Sequence, residues 1–430
     1  MKTICLNFNL HKSVLLKKYR FFDIGNDNNY FDKFTTDLQT EIDAKSYIMP
    51  LFKMMEQLSN EYKDKFKCSI TMSGIAMENF TRAFPEGLRV LRELAQTGNF
   101  EITGMPYYHS LTSITDKEEL AIQVKKHSDK IYELFGVTPT AFRNTELIYS
   151  DEIGRMLYDL GFDTILTEGC GKTIELYGPN VLYFNPTCET QKIITRNQDY
   201  SRMFQDGLKN NKLFTPEYFA EKFYDFEEED EVIYLGVNFS NFHKTEYHNS
   251  EVELVKFLKS FVSAIVELGE FVFETPSGVS KNHTPTAPLN VPRPISGMNR
   301  YHDLTPWRSN ELQEEAIMKI TSYAKLVKEA NSEVLTDIWR NLQSSDYFYY
   351  MSTDFFNNPT YGYKPNPFKS PYEAFINYMN IVSDLERRLK EKIKEKERET
   401  LTNEEIKDII KHYESVITDL KQKLDNRTDE

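Results

Sequence analysis

Short β-type runs alternate with longer helical patterns through about the first 280 residues, and this alternation limits the fold more than any other feature of the chain. Strands are predicted at residues 3–9, 68–72, 100–103, 141–143, 164–167, 181–184, 192–195, 232–238 and 271–274. Several are continuous apolar runs, which suit strands covered on both faces, as parallel strands are. Helices are predicted between them at 42–62, 84–97, 117–135 and 150–160. Asp116 and Ser150 stand where N-caps would, with Glu119 as a capping signal and Gly161 as a stop. A repeated βα unit predicts an α/β fold whose parallel sheet closes, or nearly closes, into a barrel. An open doubly wound sheet is the structural alternative, but no GxGxxG follows a strand, so nothing suggests a dinucleotide site.

Past residue 273 the pattern changes. Residues 281–295 hold four of the chain's 17 prolines and read as an extended connection over the surface. Helical spacing then dominates at 311–332, 334–345, 371–396 and 403–423. Two parts are therefore expected, a barrel over 1–285 and a helical region over 286–430 packed on it. The last helix carries Ile406, Ile409, Ile410, Tyr413, Val416, Ile417 and Leu420 on one stripe and is expected to dock on something. The alternating Glu and Lys of 385–399 read as a solvated helix face, because the apolar pattern is not sustained for enough heptads to make a coiled coil.

Charge and composition exclude several classes. A chain of 430 residues with 40% hydrophobic content is large enough for a sizeable core. Its formal charge of -14, from 66 acidic against 52 basic residues, repels phosphate backbones, and no basic stripe interleaved with aromatics argues for nucleic acid. No run of about 18 apolar residues suggests a membrane span, and the N-terminus lacks a signal-type apolar core, so a soluble, cytoplasmic protein is expected. Cys5, Cys68, Cys170 and Cys188 are scattered without a CxxC pair and read as reduced core thiols.

In parallel barrels, reactive groups gather where strands end at the C-terminal face. The polar groups at these ends are His11, Tyr107-Tyr108-His109, Glu146, Glu168, Asp199, Arg202 and Asn238, followed by the segments 302–307 and 345–351. Singly, each has a structural explanation: a lone His is commonly a hydrogen-bonded core group, and an aromatic run such as 347–350 is commonly core. Together they suit a sugar cleft, which needs aromatic faces and polar groups.

The order and wording of these segments resemble glycoside hydrolase family 57, in its α-amylase and α-amylase-like branch. The resemblance runs through Asn7-Phe8-Asn9-Leu10-His11, Gly104-Met105-Pro106-Tyr107-Tyr108-His109, Arg143-Asn144-Thr145-Glu146-Leu147-Ile148-Tyr149 and Leu166-Thr167-Glu168-Gly169. It continues through Asp303-Leu304-Thr305-Pro306-Trp307, Ser345-Asp346-Tyr347-Phe348 and Ser370-Pro371-Tyr372-Glu373, over about residues 1 to 385. It implies an incomplete (β/α)7 barrel followed by a helical C-terminal region, and retaining attack on an α-glucan or maltooligosaccharide, with no cofactor and no metal. By resemblance Glu146 matches the nucleophile, His11 and His109 match residues lining the sugar site and Trp307 is a sugar contact; Glu168, Asp303 and Asp346, from the polar segments above, complete the expected substrate-binding set.

One departure is chemically serious. The family's segment of Asp-Tyr-Glu-Thr-Phe-Gly type supplies the general acid/base Asp, and the aligned segment here reads Asn238-Phe239-Ser240-Asn241-Phe242-His243. Lys12-Ser13 and Met105 are lesser departures. Retaining cleavage needs a nucleophilic carboxylate and a second group about 5 to 5.5 Å away to protonate the leaving oxygen. An amide does not do this, and the loss is worth roughly 3 to 5 kcal/mol of barrier. Two readings follow: a glycosidase or transglycosylase in which His243, Glu246, Asp303 or Asp346 stands in as the acid, or a catalytically silent glucan-binding relative. A metal-dependent deacetylase is a third, suggested by His243 and His248, but their spacing is one residue too long for i and i+4, and no Asp-Asp pair accompanies them.

Overall fold

A computed structural model of the chain describes residues 1–209, 213–239, 250–357, 366–400 and 403–428. Seven parallel strands close a ring: β1 (Lys2–Leu10), β2 (Cys68–Met72), β3 (Phe100–Thr103), β4 (Ala141–Arg143), β5 (Thr164–Glu168), β7 (Cys188–Arg196) and β8 (Val232–Asn238). Two seams hold by single residue pairs, Gly104 with Phe142 between β3 and β4, and Tyr234 with Arg196 between β7 and β8. The second seam is filled from below by β6 (Leu182–Asn185), which runs antiparallel to β7. Just before β6, the Asn180 carbonyl accepts from the backbone N–H groups of Glu231 and Val232. The short β9 (Phe271–Phe273) pairs with the first residues of β1.

The strands sit where the apolar runs end because both faces are covered. Every residue of β2, β4 and β5 is buried. Local chemistry sets the helix ends. The Asp116 carboxylate accepts from the Glu119 N–H ahead of Lys117–Phe135, and the Ser150 hydroxyl accepts from the Ile153 N–H ahead of Asp151–Asp159. The segment predicted as one helix from residue 42 is instead Lys33–Asp43, a π-helical turn over Ala44–Ile48, and Met49–Tyr62.

Two large apolar cores result, beside two smaller clusters. One packs the outer faces of β1–β3 and β8 against the helices around them, with Ile4, Leu6, Phe8, Ile70, Leu235 and Phe261 among its members, while the alternate residues Cys5, Leu166, Ile194, Val232 and Tyr234 meet in a smaller cluster inside the ring. The other joins β4, β5, β6 and β7 to the helices Glu311–Thr321, Ala324–Ala330, Glu333–Asn341 and Pro371–Thr400 through Phe142, Ile165, Tyr183, Ile193, Trp339, Tyr378 and Leu385. The buried Asp384 carboxylate ties that last helix to the segment after β1, accepting from the Tyr30 hydroxyl, the Gly25 N–H at 2.7 Å and Arg388 Nε at 2.6 Å.

The final helix, Asn403–Thr428, departs from expectation. Its described side chains all face solvent, including Ile409, Ile410, Tyr413, Val416, Ile417 and Leu420, so among the described residues its apolar stripe is left uncovered. The four cysteines are free thiols. Among the described residues no helix is long and apolar enough to cross a membrane.

Candidate functional site

Segments following four strands meet at the C-terminal rim. His11 follows β1, Ser73 follows β2, His109 lies in the loop after β3, and Glu146 follows β4. The short helix Ser345–Tyr349 comes down on them from the helical region, with the Ser345 N–H donating to the His109 carbonyl at 3.0 Å.

The imidazoles of His11 and His109 stack, with ring centres 3.8 Å apart and planes 9° from parallel. Each Nδ1 meets a serine hydroxyl: His11 with Ser73 at 2.7 Å and His109 with Ser345 at 2.9 Å. Each Nε2 faces a carboxylate, His11 with Asp346 at 3.3 Å and His109 with Glu146 at 3.6 Å. Two carboxylates thus flank a stacked pair of imidazoles, all four side chains being buried.

His11, His109 and Asp346 each offer a ligand atom, and these atoms lie within 4.8 Å of one another. Their arrangement does not suit a metal as it stands. Imidazole lone pairs lie in the ring plane, and two nearly parallel rings 3.8 Å apart share no nearby point where one ion could meet both in-plane lone pairs, as tetrahedral coordination requires.

Glu146 is held in an uncommon backbone conformation. It has φ 45° and ψ 35°, and Leu147 after it has φ 58°. For L-residues this left-handed region costs roughly 1 to 2 kcal/mol each, so something must over-determine it. Asn144 does so from one side, accepting from the Thr145 N–H at 2.9 Å and donating to the Ile148 carbonyl at 2.8 Å. From the other side the Glu146 carbonyl accepts from the Ser296 hydroxyl at 3.0 Å and the Gly297 N–H at 3.1 Å. His109 also has positive φ, 52°, so two of the four residues in the row sit on strained backbone.

Glu146 and Asn238 line one cleft of about 250 Å³, floored by Gly297 and Met298 and walled by the helix Gln198–Leu208. Asn238 ends β8, and its N–H donates to the Gln205 side chain at 3.4 Å. No aromatic side chain among the described residues lines this cleft, contrary to the expected sugar platforms. Tyr107 and Tyr108 are buried, with their hydroxyls on Glu78 and Asp337 and with Lys126 Nζ 4.2 and 4.6 Å from their ring centres. Tyr347, Phe348, Tyr349 and Tyr350 belong to the second core.

The remaining sequence candidates lie elsewhere. Glu168 is fully buried beneath Gly297 and is paired with Arg196, so it holds a cleft arginine rather than facing the cleft. Asp303 organises the turn over 299–305, accepting from Asn299 Nδ2 at 2.8 Å and the Thr305 N–H at 3.0 Å. Burial would raise its carboxyl pKa, but these bonds outweigh burial and hold it below the ordinary value. Trp307 is 1% exposed within the second core and presents no face to a ligand, because the helical region closes over it. Asp199 and Arg202 pair with each other on the surface of the cleft helix. His243, Glu246 and His248 lie outside the described residues. Sequence reasoning did not include Ser73, although it directly follows a strand and caps the helix Gly74–Ala83, and gave Ser345 no role of its own within its segment. It also passed over Arg143, which lines the cleft three residues before Glu146.

The profile of glycosyl hydrolase family 57 matches residues 5–292. A protein of Methanocaldococcus jannaschii named "Putative alpha-amylase" is 28% identical over 433 residues, a match covering 96% of this chain and 89% of that one. Among solved structures, a GH57 branching enzyme of Thermococcus kodakaraensis in complex with glucose superposes with TM-score 0.63 at 12% identity, covering 89% of each chain. The 4-alpha-glucanotransferase of Thermococcus litoralis superposes with TM-score 0.57 at 14% identity over 90% of this chain. The chain spans only 60% of that enzyme's length. At such identities the structural likeness concerns the fold.

Proposed function

Since this chain belongs to glycosyl hydrolase family 57, we propose that it acts on α-glucans by retaining attack of Glu146 on the anomeric carbon, with no carboxylic acid at residue 238 to protonate the departing sugar. The observation that carries this reading is the constrained backbone of Glu146. A carboxylate kept in a left-handed conformation by Asn144, Ser296 and Gly297, facing a cleft and 3.6 Å from an imidazole, is costly to maintain and is the kind of strain that persists at reacting groups. The names of the relatives, an alpha-amylase, a branching enzyme and a glucanotransferase, supply the substrate class.

Asn238 limits what the site achieves. Without an acid the departing sugar leaves as an alkoxide, so native glucans should react roughly 10² to 10⁴ times more slowly than with one, while an activated aryl leaving group is spared much of this loss. The test is product release from maltoheptaose and from an aryl α-maltooligoside, wild type beside Glu146→Gln, with mass spectrometry for a sugar ester on Glu146. Reaction of the aryl substrate through a Glu146 adduct supports the proposal. Undiminished turnover in Glu146→Gln refutes it.

The amide at residue 238 favours a second reading, a binding protein that holds maltooligosaccharides without cleaving them. Asn238→Asp separates the two. Gain of maltoheptaose cleavage means only the acid was missing, whereas calorimetric binding with no turnover in either form supports the silent relative.

A further inference from the structure

The cleft is cationic in an acidic protein. Among the described residues, Arg143, Arg196, Arg202 and Lys209 line it against two carboxylates, Glu146 and Asp206, although the whole chain carries a formal charge of -14. Arg196 and Arg202 have ion-pair partners in Glu168 and Asp199. Arg143 differs. It is 5% exposed, its Nε and Nη1 are buried without a hydrogen-bond partner, and no carboxylate among the described residues forms an ion pair with it. Its near neighbour is the buried phenol of Tyr234, which burial keeps protonated and which is therefore no counter-ion. A buried guanidinium without an anion is costly, and the cost is offset when a ligand brings one. Arginine's planar fork fits phosphate oxygens, two at a time.

The same cleft has an amide, Asn238, at the acid position and no aromatic platform among the described residues. These facts share one explanation. We propose that the cleft takes a glycosyl phosphate as its sugar donor, with the phosphate seated against Arg143, a reading that rests on Glu146 as the nucleophile. A phosphate monoester has a second pKa of about 6 and carries its own proton in part near neutrality, so this leaving group needs no acid at residue 238. A Glu146 oxygen attacks C1 of the singly protonated ester. The bond from C1 to the phosphate oxygen breaks, and its electron pair departs on hydrogenphosphate, whose charge Arg143 balances. A hydroxyl of a second saccharide then opens the sugar ester on Glu146. A new glycosidic bond forms, the hydroxyl proton passes to the hydrogenphosphate, and Glu146 returns as a carboxylate.

The experiment compares α-maltosyl phosphate with α-maltosyl fluoride on the full chain, with maltotriose as acceptor. Both leaving groups depart without an acid, but only one carries the phosphate that Arg143 would hold. Wild type should release phosphate and fluoride and elongate maltotriose, and Glu146→Gln should do neither. In Arg143→Met the ratio of kcat/KM for the phosphate donor to that for the fluoride donor should fall at least about 30-fold, whatever loss the two donors share, because the buried partner of a charge is removed. Arg143→Lys, which keeps a charge but not the fork, should give an intermediate ratio and covers the case in which the methionine variant folds poorly. Inorganic phosphate should inhibit fluoride turnover competitively. Fluoride release through Glu146 without phosphate release overturns this inference and leaves the nucleophile intact. Silence with both donors removes both readings together, and an unchanged donor ratio in Arg143→Met and Arg143→Lys overturns the role of Arg143.

Discussion

His127 should make the protein lose stability between pH 6.5 and about 4. It sits in the helix Lys117–Phe135, wholly buried, and its ring bridges the ends of two barrel strands. Nε2 lies 2.8 Å from the Met72 carbonyl and Nδ1 accepts from the Met105 N–H at 3.3 Å, so the partners fix the neutral Nε2–H tautomer. Burial presses its pKa from 6.5 down to about 4, with the bond to Met72 opposing. In that window the unfolded chain binds a proton that the folded chain refuses, so stability is full above pH 6.5 and declines on acidification until the folded imidazole also titrates. At 1.36 kcal/mol per pH unit the loss amounts to about 3 kcal/mol. The assay is urea unfolding of wild type and His127→Gln across pH 7 to 4. Glutamine keeps a donor and an acceptor but does not titrate, so other groups cancel in the difference between the two curves. The wild-type advantage should shrink by about 3 kcal/mol toward pH 4. Curves that stay parallel within about 0.5 kcal/mol would show that the buried imidazole is not held neutral, and the reasoning fails.

Two further outcomes follow from the packing. Asp384→Ala should cost about 3 kcal/mol by urea midpoint at pH 7, the low end for breaking a buried ion pair, because Arg387 and Arg388 stay partly in water; a loss under about 0.5 kcal/mol counts against it. Burial raises the Asp384 carboxyl pKa, but bonds from Tyr30, Arg388 and Gly25 prevail and hold it below its ordinary 3.8, so the wild-type advantage should narrow only as pH falls below that value. Gly297→Ala should lower the melting temperature, since an added Cβ would lie 2.3 Å from Glu168 Oε2 and 3.1 Å from Arg196 Nη2, and overpacking costs about 1 to 3 kcal/mol; an unchanged melt would show that the cleft floor gives way freely.

The barrel was legible because parallel strands buried on both faces appear as unbroken apolar runs. The runs at 68–72, 100–103, 141–143 and 232–238 coincide with strands residue for residue. The helix ends at Asp116 and Ser150 were legible because caps are local. The start at Lys33 was not, since Lys33-Phe34-Thr35-Thr36-Asp37 shows no apolar spacing and the helix is fixed by Asp32 accepting from the Thr35 N–H. The antiparallel turn of β6 onto β7 was also missed, because β-type composition says nothing of direction. Strand-end logic picked out His11, His109, Glu146 and Asp346, which the fold brings into one row. It could not foresee that Glu168 and Trp307 are covered, because Arg196 reaches Glu168 from 28 residues on and the helices of the second core close over Trp307.

That second core bears on how the protein is made. The outer faces of β4 to β7 are clad by Trp339, Tyr378 and Leu385, which leave the ribosome long after the strands do. A nascent chain that has emerged through residue 285 has all its barrel strands, and helix residues such as Ile153 and Leu157, yet still shows to water the part of the apolar wall that the later helices cover. Until the helix Pro371–Thr400 arrives, that wall is open to chaperones or to neighbouring chains, so synthesis that stalls in the 300s should give an aggregation-prone intermediate rather than a smaller working barrel.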